Sequence, residues 1–259
     1  MIKKIIKILL KRFGFYEYLK SFYINFQYEK YYSNHHKDYN FYKKLLNKKD
    51  LVFDIGANKG NKTNIFLKLK SKVIAVEPDK TNQKVLHSRF SYNDNLIVVN
   101  KIVSDKIGVE TLNIVSDGDE VNTCSDKWKE VIENNKNDRF EAGRSIAIKK
   151  EIESTTLSDL IKKFGPPKYI KIDVEGYEYN VLKGLKSCVN MISFEANIPE
   201  FIDESKKCID IINSLSGNYT YNFTDTINFQ SNNWVNFQEI MKIIETTKLN
   251  CIEIYAKLK

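Results

Sequence analysis

From Leu51 onward the sequence alternates short apolar runs with helical patterns, and this alternation limits the fold more than any other feature does. The runs are rich in Val and Ile and bounded by turn residues, which predicts strands; they are LVFDI, KVIAVE, NLIVVNKIVSD, KYIKIDVE and NMISFEA. Helical patterns fill most of the gaps between them, at residues 61–70, 81–90, 156–164 and 177–185. Repeated strand, helix and strand units predict an α/β fold with a doubly wound parallel sheet.

The stretch 105–152 departs from this alternation. VETLNIV and RSIAIKKEIE predict a hairpin around a polar insert of unusual length, which is typical of a functional segment. After Ile198 the patterns predict a helix near 203–215, a strand near 219–223, a helix near 237–246 and a final strand at 251–256. We see no repeat and no linker, so we predict one domain over residues 51–259.

Residues 1–50 differ from that domain in charge and aromatic content. They hold 12 Lys and Arg against 4 Asp and Glu, a net charge of +8, and 13 of the 32 aromatic residues, whereas residues 51–259 carry 29 basic and 29 acidic residues. The opening MIKKIIKILLKRF has the apolar stripe of a basic amphipathic helix. We expect a helical N-terminal appendage that contacts the inner membrane peripherally, caps its own domain or forms a homodimer through its helices.

Two further features favour a cytoplasmic protein. Lysines interrupt the apolar run of the opening segment every few residues, so it matches neither a signal peptide nor a bilayer span. The four cysteines include no CxxC pair and indicate neither a zinc cluster nor a disulfide framework.

The first predicted strand ends in a glycine turn, DIGANKG, that begins with an acidic residue. Gly56 and Gly60 let a ligand approach the backbone, and the start of the next helix favours polar or anionic groups. Asn58 replaces the middle glycine of the dinucleotide fingerprint, and Asp54 would repel a pyrophosphate, which argues against NAD. A carboxylate there suits a cofactor with an ammonium and a sulfonium, and S-adenosylmethionine carries both.

Acidic residues also end the next predicted strands. Glu77, followed by Pro78, comes 23 residues after Asp54, a spacing that suits a ribose diol. The third strand is expected to end at Ser104 and Asp105, near an adenine edge, and the fourth ends in KIDVEG. Because ligands bind beyond the carboxyl ends of strands in open sheets, we expect these tips to share one crevice for a nucleoside cofactor.

The ordered blocks FDIGANKG, VEPD, VVNKIVSD with Gly108 following, ESTTLSDLI and YIKIDVEGYEYNVLKG resemble the motifs of the FkbM methyltransferases. The resemblance implies a Rossmann-like seven-stranded methyltransferase sheet, mostly parallel with an antiparallel last strand, and O-methylation with S-adenosylmethionine. The family's usual substrates are sugars, polyketides and other small hydroxylated metabolites. The resemblance also implies a cofactor set, to which we add neighbouring residues: Asp54, Gly56, Ala57, Asn58, Gly60, Glu77, Pro78, Ser104 and Asp105.

Methyl transfer to a hydroxyl needs a base near the strand tips. Asp173 is the first candidate, Glu175 the second and Glu195, on the fifth strand, the third. Strand alternation puts Lys171 on the face of Asp173, where it either forms a simple salt bridge, stabilises a developing alkoxide or lowers the pKa of Asp173. Asp173 and Glu195, with Asn197 nearby, could hold a divalent cation, although we favour catalysis without a metal.

These observations lead to a main hypothesis and alternatives. The first is a bacterial O-methyltransferase acting on a sugar or glycan precursor, for surface polysaccharide. A small-molecule, polyketide-type acceptor stays open. RNA is a further alternative because the N-terminus is basic and aromatic, but DVEG replaces the N/D-P-P-Y-type motif of base-amine methyltransferases. A non-catalytic scaffold is disfavoured because unused buried acids are costly.

Overall fold

A computed structural model describes residues 15–134, 145–225, 228–231 and 233–259. In chain order the elements are α1 (Phe15–Tyr31), α2 (His35–Tyr42), β1 (Leu51–Ile55), α3 (Asn61–Lys68), β2 (Lys72–Val76), α4 (Lys80–Phe90), β3 (Leu96–Val99), β4 (Ile102–Val103), β5 (Gly108–Ile114), α5 (Asp126–Asn134), β6 (Ile148–Thr155), α6 (Leu157–Phe164), β7 (Tyr169–Ile172), α7 (Glu178–Lys183), β8 (Met191–Asn197), α8 (Ile202–Ser216), β9 (Tyr219–Thr224), α9 (Phe237–Thr246) and β10 (Cys251–Leu258).

The main sheet has seven strands in the order β3-β2-β1-β7-β8-β10-β9. Strands β3, β2, β1, β7 and β8 are parallel, whereas β10 runs antiparallel to both β8 and β9. The Rossmann-like, mostly parallel sheet predicted from the sequence is therefore confirmed. The strand order reverses between β1 and β7, so a crevice opens at the carboxyl ends of these two strands.

Both faces of this sheet are buried, which explains why its strands read as continuous apolar runs. On one face Phe53 and Ile170 belong to a core shared with α6, α7, α8 and α9. On the other face Val52 and Tyr169 belong to a core shared with α2, α3 and α4. Successive residues of one strand thus pack in the cores on opposite faces of the sheet. This packing holds the strands, and with them their carboxyl ends, in place.

A second sheet of three strands, in the order β4-β6-β5, corrects one prediction. The run NLIVVNKIVSD is not a single strand: its first half is β3 of the main sheet, and its second half is β4, which pairs with β6. The chain leaves the main sheet at residues 100–101 because the backbone of β4 finds its partner in the inserted hairpin. The predicted hairpin itself is present, with Gly108 opposite Ser154 and Ile114 opposite Ile148.

The described part of the insert also contains a helix, where the sequence analysis predicts only a polar connection. Helix α5 buries Trp128 and Ile132, which pack in a small cluster with Val121 and Phe201. This cluster fixes the insert over the carboxyl ends of the main strands.

The described part of the N-terminal segment packs on the domain. Phe41, Tyr42 and Leu46 are buried in the core beside α3, and α1 lies against α4. The opening MIKKIIKILLKRF lies outside the described residues, so the helix expected there stays a prediction. Among the described residues, no helix combines the length and the hydropathy needed to cross a bilayer.

Candidate active site

A cavity of about 420 Å³ lies at the carboxyl ends of β1, β2, β7 and β8. Of the residues singled out in the sequence, it is lined by Asp54, Gly56, Ala57, Asn58, Glu77, Pro78, Lys171, Asp173, Glu175 and Glu195. Gly60, Ser104 and Asp105 do not line it. The strand tips therefore share one crevice. Of the predicted third strand, Lys101, Ile102 and Val103 line it, whereas Ser104 and Asp105 do not.

The glycine turn after β1 is shaped by close backbone contacts. Gly56 has φ +80°, and a Cβ there would lie 1.8 Å from the carbonyl oxygen of Asp173, so the tips of β1 and β7 touch. Gly60 has φ +82° and begins α3, but a Cβ there would lie 2.5 Å from Leu86 and 2.8 Å from Phe90. Gly60 therefore serves the packing of α3 against α4, and its expected contact with a ligand has no support in this geometry.

Asp54 is buried at the end of β1. Its Oδ2 accepts a hydrogen bond of 2.5 Å from the Thr63 hydroxyl, in the first turn of α3. Burial raises the pKa of Asp54, and the Lys171 ammonium opposes that rise. A carboxylate in this position gains from any further positive charge that enters the cavity.

Glu77 links the loop that follows β1 to the loop that follows β2. Its Oε2 accepts from the backbone N–H of Asn58 at 2.7 Å, and its Oε1 accepts from that of Asp79 at 2.8 Å. Burial raises the pKa of Glu77 to about 7, although both backbone hydrogen bonds lower it. Asp79 in turn caps α4 by accepting from the N–H groups of Thr81 and Asn82.

Ser104 and Asp105 follow β4 of the second sheet and not a strand of the main sheet, and they come directly after the cavity-lining Ile102 and Val103. Asp105 pairs with Lys183 at 2.6 Å, and this hydrogen bond holds the pKa of Asp105 below its usual value. Ser104 is buried and lies within 3.2 Å of the hydroxyl of Tyr177. Neither residue lines the cavity, and the adenine contact expected of them stays a prediction.

Lys171 and Asp173 form an ion pair of 2.6 Å at the end of β7. The ammonium is buried, whereas the Asp173 side chain is 38% exposed toward the cavity. Burial by itself would lower the pKa of Lys171, but the carboxylates of Asp173, Glu253 and Asp54 raise it well above its usual value. Lys171 is therefore a fixed positive charge that orients Asp173.

Glu175 and Glu195 approach Asp173 so closely that carboxylate oxygens of the three lie within 4.8 Å of one another. Burial and then the neighbouring carboxylates raise the pKa of both Glu175 and Glu195. Asn197 donates to Glu195 at 3.1 Å. Such a group either shares protons or provides oxygen ligands for a divalent cation.

Sequence reasoning missed a polar cluster at the edge of the cavity. Lys62 and Tyr32 line the cavity and both bond to the buried Asp38; the Lys62 ammonium lies 2.5 Å from Asp38 and 3.0 Å from the Tyr32 hydroxyl. One local signal was available: a lysine in the first turn of a helix opposes the helix dipole unless an acid pairs with it. Asp38, 24 residues away, is that acid.

The cavity as a whole is acidic, since eight carboxylate side chains and four lysines line it. It favours a cationic ligand and disfavours a polyanion. The cavity also contains donors and acceptors suited to hydroxyl groups, among them Asn82, Asn122 and Thr123.

Comparisons with known proteins identify a family. The family model described as "Methyltransferase FkbM domain" matches residues 54–246. No curated protein matches the chain. Similar solved structures include a precorrin-6y C5,15-methyltransferase from Geobacter metallireducens (11% identity, 86% of each chain, TM-score 0.43), a TehB-like methyltransferase from Corynebacterium glutamicum (8% identity, 91% of this chain and 98% of that one, TM-score 0.43) and an rRNA methylase from Streptococcus thermophilus (10% identity, 86% and 95%, TM-score 0.42).

Proposed function

The chain belongs to the FkbM methyltransferase family, and from that premise we propose that it methylates a hydroxyl of a sugar or glycan precursor in the cytoplasm. It is an S-adenosylmethionine-dependent methyltransferase. One observation supports the proposed chemistry above all others: buried Asp54 and Glu77 line the same cavity as Asp173, which is partly exposed. The first two suit a cationic, ribose-bearing donor, and the third suits a base.

The residues present fit S-adenosylmethionine. Asp54 offers a carboxylate for the ammonium end, and Glu77 keeps unused lone pairs for the two ribose hydroxyls. When bound, the cofactor supplies a methyl group on a positively charged sulfur.

Asp173 is the proposed general base. An acceptor hydroxyl that donates to its carboxylate loses its proton to that oxygen as the hydroxyl oxygen attacks. Lys171 holds the carboxylate by their ion pair of 2.6 Å. Burial and the neighbouring carboxylates raise the pKa values of Glu175 and Glu195, which favours hydrogen-bond donation to the acceptor over removal of its proton.

The acceptor class follows from the lining contributed by the insert. Asp119, Glu120, Asn122 and Thr123 bring polar side chains to the cavity. A polyhydroxylated sugar can use these groups, whereas an apolar polyketide leaves many of them unpaired. The excess of carboxylates repels an RNA backbone, which favours the sugar over the RNA alternative. A role in surface polysaccharide synthesis would follow from a glycan precursor as substrate.

The proposal is tested with labelled S-adenosylmethionine and a panel of neutral and acidic glycosides, with mass analysis of the products. We expect a methyl ether on a sugar hydroxyl, lost in Asp173→Asn and kept in Asp105→Asn, a matched control outside the cavity. Methyl transfer to RNA, with none to any glycoside, would overturn the proposed acceptor. Transfer that persists unchanged in Asp173→Asn would overturn the proposed base.

A further inference from the structure

Helix α1 packs on the domain with its polar face. The Ser21 hydroxyl donates to the carbonyl of Arg89 at 2.6 Å, and Asn25 accepts from the Arg89 guanidinium at 3.0 Å and 3.1 Å. Glu29 pairs with Lys68 at 2.8 Å. The helix is thus held by hydrogen bonds, an ion pair and the ring of Tyr28 over the Arg89 guanidinium, and the opposite face is left exposed.

That opposite face is a continuous apolar stripe. Leu19, Phe22, Tyr23 and Phe26 are 46%, 65%, 63% and 54% exposed, and their spacing of three and four residues places them on one side of α1. We call these four residues the outer stripe. An exposed apolar patch of this kind marks an interaction surface, since four large side chains in water are unfavourable.

Charge and sequence indicate which partner binds the outer stripe. Helix α1 itself is neutral, with Lys20 and Lys30 against Glu17 and Glu29, and the net charge of +8 in residues 1–50 comes from the sequence on both sides of it. Two copies joined through α1 would bring these basic flanks together. Upstream, the sequence continues with aliphatic residues, Ile2, Ile5, Ile6 and Leu9, between lysines. Aliphatic side chains do not stack on bases but do enter a lipid interface, which favours lipid over RNA.

We propose that the outer stripe docks α1 on a bilayer that contains anionic lipid, which attracts the basic sequence flanking α1. The rings of Phe22, Tyr23 and Phe26 enter the boundary between headgroups and acyl chains. The next residue after α1 is Tyr32, which lines the cavity, so docking brings the cavity close to the membrane surface.

The test is sedimentation of the full-length protein with vesicles of phosphatidylcholine, with and without one-third phosphatidylglycerol. We expect binding to the anionic vesicles, weakened by salt, and binding about tenfold weaker to the neutral ones. The triple variant Phe22→Ser, Tyr23→Ser, Phe26→Ser should bind anionic vesicles about tenfold more weakly. The matched control is Ile107→Ser with Val109→Ser, two side chains 66% and 55% exposed elsewhere, and it should bind like the wild type.

Circular dichroism and Tm verify folding, and Phe22→Ser alone, with an expected loss of about threefold, replaces the triple variant if that variant does not fold. Equal binding by the wild type and the aromatic variants would overturn the proposal, as would no binding of the wild type to anionic vesicles. A dimer in solution that the triple variant dissociates, without vesicle binding, would assign the stripe to a second copy. RNA binding lost in the same variant, without vesicle binding, would assign it to RNA.

Discussion

Glu77 provides a test of the cofactor site that depends on pH. Burial raises its pKa to about 7 in the ligand-free protein, so the carboxyl gains or loses its proton within a range where the protein can be studied. The ionised form accepts charge-assisted hydrogen bonds from a ribose diol, and the protonated form accepts weaker ones. Cofactor binding should therefore favour ionisation, release a proton near neutral pH and strengthen as the pH rises.

The size of the effect follows from that pKa. Glu77 is about 90% protonated at pH 6 and about 10% protonated at pH 8, so the affinity for S-adenosylmethionine should be about tenfold weaker at pH 6. Glu77→Gln removes the titrating group but keeps a carbonyl that accepts one of the backbone bonds from Asn58 or Asp79. The variant should bind about 10-fold to 150-fold more weakly at pH 8, with a Kd that is flat across pH.

Isothermal titration calorimetry at pH 6, 7 and 8, in buffers of different ionisation enthalpy, measures both the Kd and the proton released. Thermal denaturation verifies that Glu77→Gln is folded. A wild-type Kd that is equal at pH 6 and pH 8 would refute the reasoning. A variant that keeps the full pH dependence of the wild type would assign the titration to another group.

Two further variants test the site, and a third tests the packing of α3 against α4. Asp105→Asn should leave the Kd for S-adenosylmethionine within about twofold, because Asp105 pairs with Lys183 outside the cavity; a large loss measured by calorimetry would assign Asp105 to the cofactor site. Asp173→Asn should lower single-turnover methyl transfer about 100-fold or more with little change in cofactor Kd, and an unchanged rate would exclude it as the base. Gly60→Ala should lower the free energy of unfolding by about 2–5 kcal/mol in urea denaturation, whereas Gly217→Ala, also in the left-handed region but in open space, should cost only about 1–2 kcal/mol; equal costs would mean that Leu86 and Phe90 yield freely.

The sheet could be predicted because its strands are buried on both faces and therefore carry an unbroken apolar signal. The turn at Gly56 and the acidic ends of β1 and β2 could also be placed, since parallel strands end at one edge. Asp54 and Glu77 do share one cavity, and their contact with the cofactor stays a prediction.

The departure of β4 from the main sheet could not be predicted. The apolar run from Leu96 to Val103 has no glycine or proline that would mark a break, and only the pairing with β6, about 50 residues later, draws the chain away. Asp105 therefore follows β4 of the second sheet and not a strand of the main sheet. Helix α5, in contrast, had a signal in the spacing of Trp128, Val131 and Ile132, which is that of a helix face.

The N-terminal contribution to the cavity depends on contacts between distant residues. Tyr32 reaches Lys62 across 30 residues, and no local pattern in the aromatic segment indicates this contact. Core packing of Phe41 and Tyr42 against α3 sets the path of the chain and so brings Tyr32 to the cavity. Such placement is a result of tertiary packing, which periodicity does not encode.

The position of S-adenosylmethionine in a crystal of the complex tests the central claim most directly. We predict that both ribose hydroxyls lie about 2.6–3.0 Å from the Glu77 carboxylate and that the ammonium end of the cofactor lies toward Asp54. A cofactor bound outside the cavity, or bound inside it with the ribose turned away from Glu77, would contradict the claim.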